Sequence, residues 1–408
     1  MAYLVLILST LRGFVFLFMG LSPMPNIFFA FTLINVGIAV LSSRFFSYLK
    51  NPGELSTFLK LLTINIIFGL IWYFGDIIFG NYLLSGRNFL LFFIAPISIL
   101  FFLRAKENYL VITIFFIATA VSVSCIIQFI ICNIYPADII GIEMVRGPLE
   151  AITPTNNSVI FSRIGSIYRA HGITANYHDS GNILTMVSVY SFGYTFYKKT
   201  SILTICLTLL ILLGLFSTLS TANIIAAIVC IIIISLFSYR GLFKRIFIIA
   251  VMGYALLFFS TFQIEPDAYE DVFNQLDPSG SKMNAMMNLG SSSASERIIS
   301  MLFGHERSSG ISDMGYYSEA AIVVMLMEFG IVTFIPLMLF FCYPIYIFLI
   351  SNKEIRREMW VPFVTVLTGL LTFWHYGSLF RSTSIFLFFA FYSMVIKKYL
   401  NRRLPYSN

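Results

Sequence analysis

Long apolar runs separated by short charged turns recur along almost the whole of this chain, and few folds accept such a pattern. A helix needs about 20 apolar residues to cross a bilayer, because unpaired backbone groups are costly in hydrocarbon. Runs of that kind cover 3–20, 25–43, 57–79, 88–103, 109–131 and 182–197, then 201–218, 222–239, 246–262, 318–350, 359–376 and 383–397. They predict an all-α integral membrane protein with about twelve transmembrane helices. The composition agrees: 58% of the residues are hydrophobic and 11% are charged, where soluble chains carry roughly a quarter charged. The first run, from Tyr3, has no basic segment before it and no small-residue cleavage site after Gly20. It reads as a spanning helix and not as a removable signal.

The placement of charge tests this topology. Arg44, Lys50 and Lys60 fall in one turn, Arg104 and Lys106 in another, and Lys198 and Lys199 in a third. Arg240, Lys244 and Arg245 follow, then Lys353, Arg356 and Arg357, then Lys397, Lys398, Arg402 and Arg403. These groups occupy every second turn, as the positive-inside bias requires, and they predict that both termini are cytoplasmic. The net charge of +7 therefore gathers in interhelical turns. No basic stripe with interleaved aromatics is present, which excludes nucleic acid as a partner. The cysteines form no CxxC pair and read as small buried hydrophobes.

Two connections are long and polar, and both fall on the outer side in this topology. They divide the chain into transmembrane helices over 1–131, a periplasmic loop over 132–181, further helices over 182–262, a second periplasmic loop over 263–317, and closing helices with a short tail over 318–408. Loops of this length usually carry function. The first ends on a polar stretch that contains Arg163, Arg169, His171, Gly172, Asn176, His178 and Asp179. An arginine fork grips phosphate through paired hydrogen bonds, and glycine lets backbone approach closely. The same arginines equally suit anchoring of the loop or of lipid headgroups, and Asp179 with Ser180 suits a helix cap. The two histidines and Asp179 match no metal-ligand spacing, so no metal site is assigned.

The second loop supplies Arg297, His305, Glu306, Arg307 and Asp313, and an apolar helix opens near Glu319. Arg297 and Arg307 are suited to neutralising phosphate, whereas Glu306, Glu319 and His305 are suited to accepting a proton from an attacking hydroxyl. Glu319 is as well suited to capping its helix. Glu328 lies deeper in that apolar segment and is expected to face the interior of a bundle. The run 318–350 is long enough either for one strongly tilted helix with an overhang or for a span joined to a re-entrant or interfacial piece near Gly330 and Pro336. Arg87 and Arg381 sit in short outer turns and join the candidate anion site. No GxxxxGK[ST], HExxH, GxSxG or dinucleotide fingerprint occurs, which argues against nucleotide-driven transport and common hydrolase chemistry.

These residues also carry a resemblance. Arg169-x-x-Gly172-x-x-x-Asn176, the Leu219-Ser220-Thr221-Ala222 segment, and Gly304 followed by Glu319 through Phe334 resemble the bacterial O-antigen polymerase and ligase superfamily, especially its Wzy-type polysaccharide polymerases. The chain departs from that pattern at Tyr317-Ser318-Glu319, where many relatives place a histidine, and at Ser220-Thr221, where many have Ser-Arg. The missing histidine tilts the resemblance from ligase to polymerase. It implies joining of undecaprenyl-pyrophosphate-linked oligosaccharide repeats into O-antigen or capsular polysaccharide, at the periplasmic face of the bacterial inner membrane. It also implies no cofactor, with the lipid bilayer and a chain-length regulator as partners. Ligation to another acceptor, or flipping of a lipid-linked oligosaccharide without chemistry, are the competing functions.

Overall fold

The computed structural model describes Tyr3, Leu6, Ile7, 56–78, Phe93, 95–133, 163–164, 167–174, 177–198, 201–236, Leu302, 321–375 and 382–403. These residues form nine α-helices: α1 (Ser56–Ile78), α2 (Ala95–Arg104), α3 (Glu107–Asn133), α4 (Tyr177–Tyr197), α5 (Ile202–Ser217), α6 (Thr221–Leu236), α7 (Ala321–Ile350), α8 (Lys353–His375) and α9 (Ser382–Arg403). The remaining regular structure is a hairpin of β1 (Arg163–Ile164) and β2 (Ile167–Tyr168), paired antiparallel, and a 3-10 turn at Gly172–Thr174.

The predominantly helical class is as expected, but the twelve-span count is not. Among the described residues two helices are long and apolar enough to cross a membrane, Glu107–Ile130 and Phe329–Ile350. Six of the others fall short for identifiable reasons. α5 and α6 have 16 residues each and α2 has 10, whereas about 20 are needed. α8 opens on Lys353, Glu354, Arg356, Arg357 and Glu358, and α9 closes on Lys397, Lys398, Arg402 and Arg403. α4 carries Asp179, Asn182, Thr185, Ser188 and Thr195. The multi-pass inner-membrane placement with both termini cytoplasmic rested on that even count of spans, and it is corrected with it. The expected spans 3–20, 25–43 and 246–262 lie outside the described residues, apart from the isolated positions Tyr3, Leu6 and Ile7, and so does most of both long connections.

α4 is the central element. Every residue from Gly181 to Gly193 is buried, as a helix enclosed on all sides requires. Two glycines set how closely its neighbours approach. A Cβ at Gly181 would lie 2.4 Å from the amide nitrogen of Asn223 on α6, and one at Gly193 would lie 2.6 Å from Val361 on α8. Polar side chains on α4 pair locally: the Thr185 hydroxyl donates to the Asn223 carbonyl at 3.2 Å, and Thr195 meets Thr208 of α5 at 3.3 Å. Against α9 the packing is aromatic, with Tyr190 and Phe391 4.9 Å apart. A second aromatic cluster joins α1, α7 and α9 through Phe58, Phe340 and Tyr392, and the buried Tyr392 hydroxyl donates to the Phe340 carbonyl at 2.6 Å.

The contacts fix helix directions. Glu107 meets Lys198, whereas Gln128 meets His171, so α3 and α4 are antiparallel. Gly193 faces Val361 and Gly369 faces Met186, so α8 also opposes α4. Glu107, Lys198, Lys398 and the turn between α7 and α8 thus share one end of the bundle. Gln128, the 169–174 segment and the turn between α5 and α6 share the other, about 30 Å away along α3. α7 is interrupted at Gly330, whose φ of 67° and ψ of 165° are non-helical and accessible essentially to glycine alone. Of the two sequence readings of this stretch, one tilted helix or a span joined to a separate piece near Gly330 and Pro336, the break at Gly330 matches the second.

Candidate functional site

The segment carrying Arg169 and Gly172 is sewn into the end of the bundle by its backbone. The Ala170 N–H donates to the Ser217 carbonyl at 3.1 Å, which ties the segment to the end of α5. The next two N–H groups, of His171 and Gly172, both donate to the Gln128 side-chain carbonyl, at 2.7 and 2.8 Å. The Ile173 N–H donates to the Ser124 hydroxyl at 3.1 Å. The His171 carbonyl accepts from Ser180 at 2.6 Å and from Thr174 at 3.1 Å. Buried main-chain groups need such partners, and here α3 and α4 provide them.

This arrangement changes the role of Gly172. It has φ of +59°, in the left-handed region, and a Cβ there would lie 2.7 Å from both the Cys125 sulfur and the Ser124 oxygen. With its N–H taken by Gln128, Gly172 lets the turn lie against α3 and does not offer backbone to a ligand. Ser180 likewise ties back to the turn from within α4, which begins at Tyr177. The expected cap at Asp179–Ser180 is thus displaced: both residues are buried inside the first turns of the helix.

Arg169 is different. Its guanidinium lies over the Tyr177 ring, 4.7 Å from the centroid, a cation–π contact. Its Nε is buried and makes no hydrogen bond among the described residues. His171 and His178 both pack on Tyr177, with ring centroids at 5.6 and 3.8 Å. One tyrosine therefore gathers a guanidinium and two imidazoles. The hairpin places the Arg163 backbone opposite Tyr168, the residue before Arg169. Among the described residues no group of three or more His, Cys, Asp and Glu side chains is disposed to hold a metal ion.

A second sequence segment meets this one. The turn Ser217–Asn223 contains Leu219 at φ 48° and is braced by Ser220 N–H donating to Thr218 and by the Asn223 amide donating to Ser220 at 2.9 Å. Ser220 and Asn223 abut Gly181 of α4. The Arg169 and Leu219 segments are thus brought to one end of the bundle. Phe329, beside the break in α7, packs edge-on against Trp72 of α1 at 5.0 Å; α7 runs from there toward the basic turn at Lys353, so the break lies toward that same end.

Sequence reasoning missed Gln128 and Ser124. The signal was present as Ser122, Ser124 and Gln128 in the second half of an otherwise apolar helix. Other candidates, Arg87, Asn176, Arg297, His305, Glu306, Arg307, Glu319 and Arg381, lie outside the described residues, as do the side chains of Arg163 and Glu328. Of the cysteines, Cys125 and Cys230 are buried as expected, whereas Cys206 is exposed on α5. Comparison with known proteins finds no matching family model and no matching curated protein.

Proposed function

We propose that this chain is a membrane-embedded glycan polymerase that joins oligosaccharide units carried on a polyprenyl pyrophosphate. The observation that carries the reading is Arg169: a half-buried guanidinium over an aromatic ring, whose buried Nε makes no hydrogen bond among the described residues. A buried donor of this kind is costly unless an acceptor completes its bonding, and an anion is a strong one. A pyrophosphate on a lipid fits both the charge and the apolar flank of α3 at that end, where Ile127 and Ile130 are exposed.

In the reaction, a hydroxyl oxygen of the acceptor unit attacks the anomeric carbon of the donor. The bond from that carbon to the pyrophosphate oxygen breaks, and the electron pair leaves with the pyrophosphate. Arg169, with Arg163, Arg297, Arg307, Arg87 and Arg381 as further candidates, neutralises the accumulating charge. Gln128 and Gly172 hold the Arg169 segment in place. The hydroxyl proton passes to a base, for which Glu306, Glu319 and His305 are the candidates. Asn176 and His178 are further candidates for contact with the substrate.

The test is to reconstitute the purified protein in lipid with a synthetic lipid-linked repeat, without nucleotide and with a chelator present, and to resolve the glycan on gels. A ladder of multimers is expected. Movement of intact lipid-linked unit between leaflets with no new glycosidic bond would replace the polymerase with a flippase. A product formed only with a different acceptor would replace it with a ligase.

A further inference from the structure

We propose that Tyr177 is a positioning residue for Arg169: its ring holds the guanidinium in place for an anion and leaves the hydrogen-bond donors of that cation untaken. The inference rests on the reading that Arg169 binds the pyrophosphate of the donor, and it adds what holds that side chain.

The main-chain ties stop short of the side chain. The N–H groups of Ala170, His171, Gly172 and Ile173 are taken by Ser217, Gln128 and Ser124. They fix the backbone beside Arg169 but leave its long side chain with the rotamer freedom of any arginine. Among the described residues no hydrogen bond or ion pair holds the guanidinium; its Nε is buried without an acceptor, and its carbon lies 4.7 Å from the Tyr177 centroid. Tyr177 is the first residue of α4 and is 5% exposed. The ring that meets the guanidinium is therefore itself fixed, by a helix buried in the bundle.

Two other cations among the described residues lie near aromatic rings, and both are held differently. Lys198 is 5.8 Å from the Tyr194 ring, but it also donates to Glu107 at 3.0 Å. Arg356 is 5.7 Å from the Phe348 ring, but it also donates to the Phe348 and Leu349 carbonyls. In both cases acceptors occupy the donors. At Arg169 the ring attracts the cation through its quadrupole and takes up none of the strong donors. A carboxylate in the place of Tyr177 would instead neutralise the charge and occupy the fork that an incoming phosphate needs. An aromatic partner thus localises the guanidinium and keeps it available.

Deleting the ring would also disturb His171 and His178, which pack on it, so the test alters its electrostatics at nearly constant shape. Tyr177→Phe is compared with full-length protein carrying 4-fluorophenylalanine or 3,4,5-trifluorophenylalanine at that position, introduced by nonsense suppression. Each protein, in a neutral detergent, is titrated with farnesyl pyrophosphate by calorimetry. Fluorine withdraws electron density from the ring face and weakens its attraction for a cation stepwise. Affinity is expected to fall at each step, by about fivefold over the series, with the melting temperature and the hydrogen exchange of the 169–174 peptide unchanged. Equal affinity across the series overturns the proposal, as does tighter binding with added fluorine, which marks the ring as a competitor for the cation. A fall in affinity that tracks loss of amide protection also overturns it, since the ring is then only packing. Arg169→Ala separates this inference from the reading beneath it. Weakened binding in Arg169→Ala with a flat fluorine series defeats the role of Tyr177 alone, whereas Arg169→Ala binding as tightly as the parent defeats the pyrophosphate reading as well.

Discussion

Gln128→Leu isolates the device that holds the Arg169 segment. Gln128 is buried, and its side-chain carbonyl accepts from two consecutive main-chain donors, of His171 and Gly172. Leucine nearly fills the same volume but accepts nothing, so two buried N–H groups lose their partner. Each costs about 1–3 kcal/mol, and the added apolar burial returns about 1 kcal/mol, which leaves a net loss of roughly 1–5 kcal/mol. In a chain of 408 residues one kcal/mol moves the melting temperature by about 1–2 °C. Thermal melts of the detergent-solubilised protein, followed by tryptophan fluorescence, are therefore expected to shift down by several degrees. Hydrogen exchange gives the local readout: amides of the 169–174 peptide that exchange slowly in the parent become fast in the variant. Ile127→Ala, at an exposed neighbouring position, controls for substitution on this helix and should leave that peptide protected. A Gln128→Leu melt superimposed on the parent, with unchanged exchange, would refute the bracing role.

Gly172→Ala should destabilise by about 2–5 kcal/mol in the same melts, combining left-handed backbone strain with overpacking against Cys125 and Ser124; an unshifted melt would show that the turn relaxes freely. Arg169→Ala is expected to abolish polymer and Arg169→Lys to restore it only in part, because an ammonium lacks the guanidinium fork; full polymer from either variant at equal protein abundance removes Arg169 from the site. Tyr392→Phe should cost about 1 kcal/mol through loss of its bond to the Phe340 carbonyl, read again as a melting shift. Glu107→Gln should lower stability at low salt, and the difference from the parent should shrink as salt is added; a salt-independent difference would mean that the ion pairs are not its source.

What could be read from sequence differed between the two ends of the bundle. The break at Gly330 was legible as one of two alternatives: glycine in a long apolar run, six residues before Pro336, is a poor continuation of a helix, but the length of the run equally suited one tilted helix. The turn at Ser217–Asn223 was legible for the same kind of reason, a polar cluster between apolar helices. The number of crossings was not. α4 illustrates why: hydropathy sees an apolar segment from 182 onward, yet the helix is buried without interruption from Asp179 to Gly193 and carries serine, threonine and asparagine. Apolarity marks burial equally well against lipid and against protein, so counting apolar runs overstates the helices that face a membrane. The support of Arg169 was illegible for another reason. It depends on Gln128 and Ser124, more than 40 residues upstream, and no local pattern announces which distant side chain will accept a turn's N–H groups.

The antiparallel arrangement then gives the charge pattern a physical meaning independent of how many helices cross. The turns at Arg104–Glu107, Lys198 and Lys353–Arg357 and the last turns of α9 meet because α3 and α8 run against α4 and α9. Basic residues spaced far apart in sequence are thereby concentrated at one end. At the other end the same directions bring Gln128, Arg169 and Ser217 together, so that the guanidinium there stands apart from the competing cations. Arg169 is separated from the Lys198–Lys398 cluster by about 30 Å along α3. No ion pair spans that distance.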